Sequence, residues 1–93
     1  MLKFEWDENK NKLNRKLHGL WFEEITSVFN DQNARFFLDK NHSDDESRYI
    51  IIGYCSIGRL LVVVHVFREN DVIRIISSRK ATKKERLFYE KRI

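Results

Sequence analysis

The stretch from Gly58 to Ala81 reads GRLLVVVHVFRENDVIRIISSRKA, and it decides the fold. Two short apolar runs rich in Val and Ile, Leu60–Phe67 and Val72–Ile76, flank the polar break Glu69-Asn70-Asp71. Short β-branched runs on either side of a polar break are typical of two antiparallel strands joined by a tight turn. The stretch therefore predicts a β-hairpin, and the chain becomes basic directly after it.

The rest of the chain predicts three further strands and three helices. The strands are Leu2–Trp6, Ala34–Leu38 and Arg48–Cys55, and the helices are Glu8–Leu17, a short one carrying Phe22, Ile25 and Phe29, and Lys83–Arg92. A polar, acidic loop is expected from Asp39 to Glu46. Consecutive strands with short connections favour an antiparallel meander. The sequence therefore predicts an α+β fold with an N-terminal strand and two helices, a four-stranded antiparallel meander and a C-terminal helix.

Residues typical of helix caps predict where these helices begin and end. Asp7 can accept hydrogen bonds from the first free amides of the first helix, and Gly19 suits the left-handed residue that ends it. Thr82 and Glu85 match the capping box of a helix N-terminus. The side chains expected to attach the helices to the core are Leu13 and Leu17 on the first helix and Leu87 and Phe88 on the last.

Size and composition limit the class of protein. The 93 residues, 42% of them apolar, suffice for one domain, residues 1–93, and not for a second core. No apolar run has the length of a membrane span, and acidic residues near the N-terminus argue against a signal peptide. Cys55 is the single cysteine, so an internal disulfide is impossible. That fits a reducing cytoplasm.

The charge is concentrated at one end of the chain. Residues 74–93 carry a net charge of +6, whereas the first 73 residues carry −2. A basic block on a small domain favours a polyanionic partner, most often nucleic acid, although a solvated helix face is the alternative. Within the block, Arg79 and Lys80 stand where a strand ends and a helix begins, so fixed cations and free amides converge on a place suited to a phosphate.

Other candidate residues have structural explanations beside the functional ones. The three histidines and Cys55 lack metal-ligand spacing, so no metal or cofactor is expected. His65 in an apolar strand is either a core histidine or a catalyst. Arg74, also inside an apolar strand, must pair with an acid or face an open surface. Trp21 is either part of the core or a contact for a partner.

Several short motifs occur in order along nearly the whole chain. They are Phe4-x-Trp6-Asp7, Asn14-x-x-x-His18-Gly19, Phe22-Glu23-Glu24, Val28-Phe29-x-Asp31, His42-Ser43-x-x-Glu46-x-Arg48, Ile52-Gly53, Gly58-Arg59-x-Leu61-Val62-Val63 and Arg74-Ile75-Ile76-Ser77-x-Arg79-x-Ala81-x-x-x-Glu85-x-x-x-Tyr89. Each is weak alone, but together they resemble the BrnT family of bacterial toxins. The sequence departs from the family at Leu17, where a lysine is usual before His-Gly, and at Trp21, where a serine can cap the second helix.

The resemblance implies a RelE-like fold and the toxin of a type II toxin–antitoxin system. The activity implied is a metal-independent endoribonuclease that arrests growth in the cytoplasm. The implied partner is a BrnA-like antitoxin with a ribbon-helix-helix domain, so contact with DNA would be indirect, through that antitoxin. The alternatives from other classes are a non-catalytic RNA-binding module and a protein-interaction module.

Cleavage of RNA by its own 2′-hydroxyl needs charge stabilisation at the phosphate and a proton acceptor and donor. Arg74 and Arg79 are the candidates for the phosphate, and His65, His18 or Glu46 for the base or acid. The strand register needed to choose among these three is not in the sequence. The residues expected to bind RNA are Arg48, Lys80, Lys83, Lys84 and Arg86, and Trp21 is the residue expected to contact the antitoxin.

Overall fold

A five-stranded mixed sheet lies at the centre of the computed structural model, which describes residues 2–42 and 46–91. The strands are β1 (Lys3–Glu5), β2 (Arg35–Leu38), β3 (Tyr49–Tyr54), β4 (Leu60–Arg68) and β5 (Val72–Lys80), and the helices are α1 (Glu8–His18), α2 (Phe22–Ile25) and α3 (Lys83–Glu90). Short 3-10 turns follow α2 at Thr26–Asn30 and β2 at Lys40–His42. The middle of the loop predicted from Asp39 to Glu46, and the predicted helix end at Arg92, lie outside the described residues.

The hairpin predicted from the sequence is confirmed, and it extends into an antiparallel series. The spatial order is β1-β5-β4-β3-β2, with β2 to β5 paired antiparallel in sequence order. The prediction of a four-stranded sheet is nevertheless incomplete, because β1 adds a fifth strand that pairs in parallel with the outer edge of β5. Glu5 stands opposite Arg74 in this pair, and its carboxylate accepts a hydrogen bond from the Arg74 guanidinium at 2.8 Å. Arg74 is therefore paired with an acid, one of the two outcomes expected for an arginine in an apolar strand.

Strand β5 is four residues longer than the apolar run that predicted it. Val64 pairs with Ser77 whereas His65 pairs with Ile75, so Ile76 is an extra residue in β5. This is the two-against-one pairing of a β-bulge. Beyond the bulge the polar residues Ser77 to Lys80 continue the ladder against β4. The strand therefore carries Arg79 as a fixed part of the sheet.

The sheet has two unlike faces. The first, which we call the helix face, is covered by α1, α2 and the turn that follows α2, and it holds the main core. Side chains that pack there include Leu20, Phe22, Ile25 and Val28 with Ile51, Leu61, Val63, Ile73 and Ile75. The second, which we call the open face, is covered by α3 at one end, where Ile52, Leu60, Val62 and Tyr89 cluster. The rest of the open face has no helix over it among the described residues.

Helix α1 binds the core through amides and not through leucines. Leu13 and Leu17 are 53% and 64% exposed, so the prediction that they face the core is wrong. Asn11 and Asn14 are buried in their place. Asn11 accepts a hydrogen bond from the Phe22 amide at 2.7 Å, and Asn14 links α1 to two other segments. A buried amide side chain is stable when its donors and acceptor are satisfied by backbone groups, and apolar periodicity cannot detect such a helix face.

The predicted caps of α1 are confirmed, and in the segment after α1 Trp21 is partly exposed between two buried neighbours. Asp7 accepts from the amides of Asn9 and Lys10, and Gly19 adopts a left-handed φ of 73°. The neighbours of Trp21, Leu20 and Phe22, are completely buried. Trp21 itself is 38% exposed and lies against Arg15, whose guanidinium carbon is 5.9 Å from the indole centroid.

Helix α3 begins with the predicted capping box. The Glu85 amide donates to Thr82 Oγ1 at 3.2 Å, and the Thr82 amide donates to Glu85 Oε1 at 2.8 Å. The expectation that Leu87 attaches this helix to the sheet is wrong, because Leu87 is 61% exposed, whereas Phe88 is half-exposed and its ring contacts Phe37 of β2. Tyr89 is the buried residue, and its hydroxyl donates to Asp31 Oδ2 at 2.7 Å.

His65 is a core residue on the helix face. It has no exposed surface and is surrounded by rings of Phe29, Phe36, Tyr49 and Phe67, with centroids 4.9 to 6.3 Å away. Burial disfavours the charged imidazolium and lowers the pKa of His65 to about 4. Cys55 is also buried, as a free thiol. No helix in the described part of the chain is long and apolar enough to cross a membrane.

Removing the Thr82 hydroxyl tests the cap of α3. We expect Thr82→Ala to lower the free energy of unfolding by about 1 kcal/mol, the usual cost of a lost N-cap hydrogen bond. Thr82→Ser keeps the hydroxyl and is the matched control. Urea denaturation of the three proteins measures the effect, and equal midpoints for the two variants would contradict the cap.

The burial of His65 predicts a pH dependence of stability. The unfolded chain takes up a proton at this imidazole near pH 6.5, whereas the folded chain does so only near pH 4. The free energy of unfolding should therefore fall as the pH drops from 6.5 to 4, by up to about 3 kcal/mol from this group. Urea denaturation across this range should show a smaller fall for His65→Phe. Phe67→Leu alters the same cluster without removing an ionisable group, so it should retain the wild-type dependence.

Candidate functional site

A concave cavity of about 350 Å³ occupies the uncovered part of the open face. Its floor is apolar and its rim is polar. The floor consists of Ile50, Val62, Val64 and Ile76, and the rim consists of Asp39, His42, Arg48, Ser77 and Arg79. Two arginines above an apolar floor give a site in which a bound anion would be partly withdrawn from water and its attraction to the cations strengthened.

Arg79 is held in one orientation by the carboxylate of Glu85. Arg79 Nη1 donates to Glu85 Oε1 and Nη2 donates to Oε2, both at 2.7 Å. Oε1 of the same carboxylate also accepts from the Thr82 amide. The hydrogen bonds from Arg79, with those from Thr82, lower the pKa of Glu85 to about 2. The same contact raises the pKa of the guanidinium, so the pair is ionised at neutral pH and fixes the side chain by two parallel bonds.

This pairing leaves part of the guanidinium available. A guanidinium has five N–H groups, and three of those in Arg79 are used by Glu85 and by the Lys80 carbonyl, which is 3.3 Å from Nη1. The Nε–H group and the second hydrogen of Nη2 have no acceptor among the described residues. These two bonds point in the same direction from the planar group. Paired N–H groups of this kind can donate to two oxygens of one phosphate.

His42 lies on the opposite rim with its ring oriented by an acid. Its Nδ1 atom is 3.2 Å and 3.0 Å from the two carboxylate oxygens of Asp39. A carboxylate at Nδ1 favours the tautomer with the proton on that nitrogen, which leaves Nε2 to accept a proton. His42, Asp39 and Ser77 were not among the residues predicted for the site. His42 and Ser77 each occur in one of the motifs quoted above, and the position of Asp39 three residues before His42 could have suggested the pair.

A second cavity, of about 450 Å³, adjoins the first at Arg79. It is lined by Leu17, His18, Arg79, Lys80 and Thr82. Arg79 therefore shares the first cavity with His42 and the second with His18. The structure therefore brings together three of the predicted residues, Arg79, His18 and Lys80, and it adds Arg48 through the first cavity.

The remaining predicted catalytic residues lie elsewhere. Arg74 shares the open face with Arg79, but their partners on β4, Val66 and Val62, are four residues apart, so the two arginines are separated by about 13 Å along the strands. The Glu46 carboxylate accepts a hydrogen bond from Arg68, which lowers the pKa of Glu46. His65 lies on the other face of the sheet, in the core. None of these three lines either cavity.

The predicted RNA-binding residues of α3 lie along its exposed surface. Lys83, Lys84 and Arg86 are all exposed, and Arg86 donates to the Tyr54 hydroxyl at 2.9 Å. Together with Lys80, they surround the N-terminus of α3 with positive charge. In the described ranges, no group of three or more His, Cys, Asp or Glu side chains is arranged to hold a metal ion.

Comparisons with known proteins agree with this architecture. The model of the family described as the ribonuclease toxin BrnT of type II toxin–antitoxin systems matches residues 6–85. The crystal structure of the Brucella abortus ribonuclease toxin BrnT is similar to this chain, with a TM-score of 0.70 and 25% sequence identity. The match covers 89% of this chain and 100% of the Brucella chain. No curated protein sequence matches the chain significantly. Since the family model spans most of its length, the chain belongs to the BrnT family of ribonuclease toxins of type II toxin–antitoxin systems.

Proposed function

We propose that this chain is a growth-arresting toxin that cuts RNA in the cytoplasm without a metal ion. A BrnA-like antitoxin with a ribbon-helix-helix domain would neutralise it and would provide its only contact with DNA. The observation that carries the proposal is the fixed Arg79 guanidinium, which keeps two N–H groups available in a cavity on the open face. A sheet with one face partly uncovered also suits the RelE-like fold that the sequence resemblance implies.

The phosphate to be cleaved would bind at Arg79. Two of its oxygens would accept from Nε and Nη2, and Arg48 on the same cavity would add a second positive charge. During attack by the 2′-hydroxyl the phosphate gains negative charge, so cations that are already in place stabilise the transition state more than the substrate. Glu85 is a positioning residue in this scheme, because it holds the guanidinium without touching the substrate.

Two histidines on the rims of the cavities that share Arg79, His42 and His18, are suited to the proton transfers. His42, with Asp39 at its Nδ1 atom, would remove the proton from the 2′-hydroxyl as general base. His18, in the adjoining cavity, would donate a proton to the leaving 5′-oxygen. The products would be a 2′,3′-cyclic phosphate and a free 5′-hydroxyl, so no water molecule and no metal-bound nucleophile is needed. His18 was predicted as one of three candidates, whereas His42 was not.

The other predicted residues have supporting tasks in this proposal. Lys80, Lys83, Lys84 and Arg86 would hold the RNA backbone on both sides of the cleaved phosphate, as exposed cations do in nucleic-acid interfaces. Arg74 and Glu46 are engaged in ion pairs with Glu5 and Arg68. His65 has no route to a substrate from the core, and we assign it no part in catalysis.

A cleavage assay tests the proposal directly. Wild type should cut single-stranded RNA in the presence of a metal chelator and leave cyclic-phosphate ends. Arg79→Lys keeps the charge but loses the paired N–H groups, and we expect cleavage to fall by a factor of about 10² to 10³. Arg59→Ala, which removes an exposed arginine outside both cavities, is the control and should cleave normally. Binding of RNA by wild type without cleavage would favour the alternative, a non-catalytic RNA-binding module.

The exposed side of α1 provides a surface for the antitoxin. Leu13 and Leu17 lie one turn apart and are both more than half exposed. Trp21 follows the helix with over a third of its side chain exposed and lies against Arg15, which is roughly 200° around α1 from either leucine, so a partner must reach around the end of α1 to contact all three. Leu17 also lines the cavity that contains His18 and Arg79. A partner bound to this apolar surface would therefore reach the edge of the proposed active site and could block the entry of RNA.

Substitution of Trp21 tests the assignment of this surface. Tryptophan side chains often dominate protein interfaces, and we expect Trp21→Ala to weaken binding of the antitoxin by at least tenfold while RNA cleavage stays nearly unchanged. Ile57→Ala removes an exposed apolar side chain from the β3–β4 turn and is the control. Titration of the purified antitoxin against both variants gives the affinities. Wild-type affinity in Trp21→Ala would place the interface elsewhere.

A further inference from the structure

A cleft between β2 and α3 has no part in the chemistry described so far. It has a volume of about 340 Å³ and is lined by Phe37, Ile52, Lys84, Glu85 and Phe88. Phe37 and Phe88 are 39% and 49% exposed, and their rings meet edge to face with centroids 6.0 Å apart. The two phenylalanine rings thus expose apolar surface inside the cleft, where they could contact a small planar group.

The cleft is next to the proposed phosphate site. Glu85 is a wall of the cleft, and the same carboxylate holds Arg79. Phe37 is the cross-strand partner of Ile50, which belongs to the floor of the first cavity, while Ile52 belongs to the cleft. Ile50 and Ile52 lie two residues apart on β3, or about 7 Å, and both face the open side. The two sites are therefore consecutive positions on one surface.

The charges around the cleft are positive at its outer side. Lys84 is exposed on the rim, one turn before Phe88 in α3. The guanidinium carbon of Arg35 is also 5.3 Å from the Phe88 ring centroid. The acid in the lining, Glu85, is already paired with Arg79. An apolar aromatic cleft beside cations matches a nucleotide, whose base stacks on rings while its phosphate is attracted to the cations. An uncharged apolar peptide would gain nothing from these cations.

We propose that the Phe37–Phe88 cleft binds one nucleobase of the RNA, next to the phosphate held by Arg79. The inference rests on the proposed function, because it assumes that RNA crosses the open face. The base enters beside the Phe88 ring, and Lys84 contacts the phosphate attached to it. The cleft has few polar side chains that could distinguish one base from another, so stacking and shape, and not hydrogen bonding to base edges, determine what it accepts.

Oligonucleotides with one base removed test the subsite. The probe is a 2′-O-methyl pentanucleotide, which lacks the attacking hydroxyl and so stays intact in the wild-type protein. Five further probes each replace one nucleotide by an abasic residue. We expect one position to stand out, with binding roughly 5- to 100-fold weaker when its base is absent, since base–aromatic stacking supplies that part of the affinity.

Phe88→Leu should remove this dependence on position, because leucine keeps the apolar contact and loses the ring. The matched control is Phe67→Leu, which changes another half-exposed phenylalanine, on the helix face, and should retain the wild-type pattern. Equal loss at every position in wild type, or an unchanged pattern in Phe88→Leu, would overturn the subsite and leave the ribonuclease proposal standing. If Phe88→Leu loses affinity for the antitoxin only, the cleft belongs to the protein partner and the inference is wrong. Failure of every probe to bind would overturn the proposed function itself.

Discussion

The side chain of Asn14 joins α1 to the segment directly after it and to β5, 64 residues further along the chain. Its Oδ1 atom accepts from the Ser78 amide at 3.0 Å, and its Nδ2 atom donates to the Leu20 carbonyl at 3.0 Å. Ser78 lies in β5 beyond the last residue paired with β1, so its amide would otherwise be an unsatisfied group on a free edge. The buried side-chain amide of Asn14 thus satisfies a backbone donor at the edge of β5 and holds α1 against that strand. It also holds the backbone at Leu20, just before Phe22 enters the main core. Arg79, the next residue after Ser78, is paired with Val62 of β4, so the strand that carries it is held on both sides.

Glu85 contributes both to the start of α3 and to the geometry of the site. Its carboxylate completes the capping box with Thr82 and at the same time holds both terminal nitrogens of Arg79. A helix N-terminus attracts negative charge, so the carboxylate is stable there even before the arginine is considered. The arginine is then oriented by a group that the helix needs for its own start. Such preorganisation is what electrostatic catalysis requires, because little reorganisation remains when charge develops on the substrate.

The sequence predicted the parts of this structure that depend on local patterns. The hairpin, the caps at Asp7, Gly19 and Thr82, and the antiparallel pairing of β2 to β5 are all visible in short windows. The inward face of α1 was missed because its core contacts are made by Asn11 and Asn14, which a search for apolar residues passes over. The parallel position of β1 was missed because it depends on a crossover and not on a turn. Arg79 could be chosen from its place between a strand and a helix, whereas the pairing of His42 with Asp39 and the burial of His65 required the register.

The extra residue in β5 also determines which changes of chain length the protein can accept. Side chains of a strand alternate between faces, and the bulge at Ile76 resets this alternation between Arg74 and Arg79. A deletion in this segment would turn Arg79 toward the helix face, away from Glu85 and the cavity, and would bring a hydrophobic neighbour into water. The three-residue turn before Val72 carries no such constraint, because pairing on either side of it can be preserved by a longer loop. Length variation among natural relatives should therefore be found at that turn and be absent between residues 73 and 80.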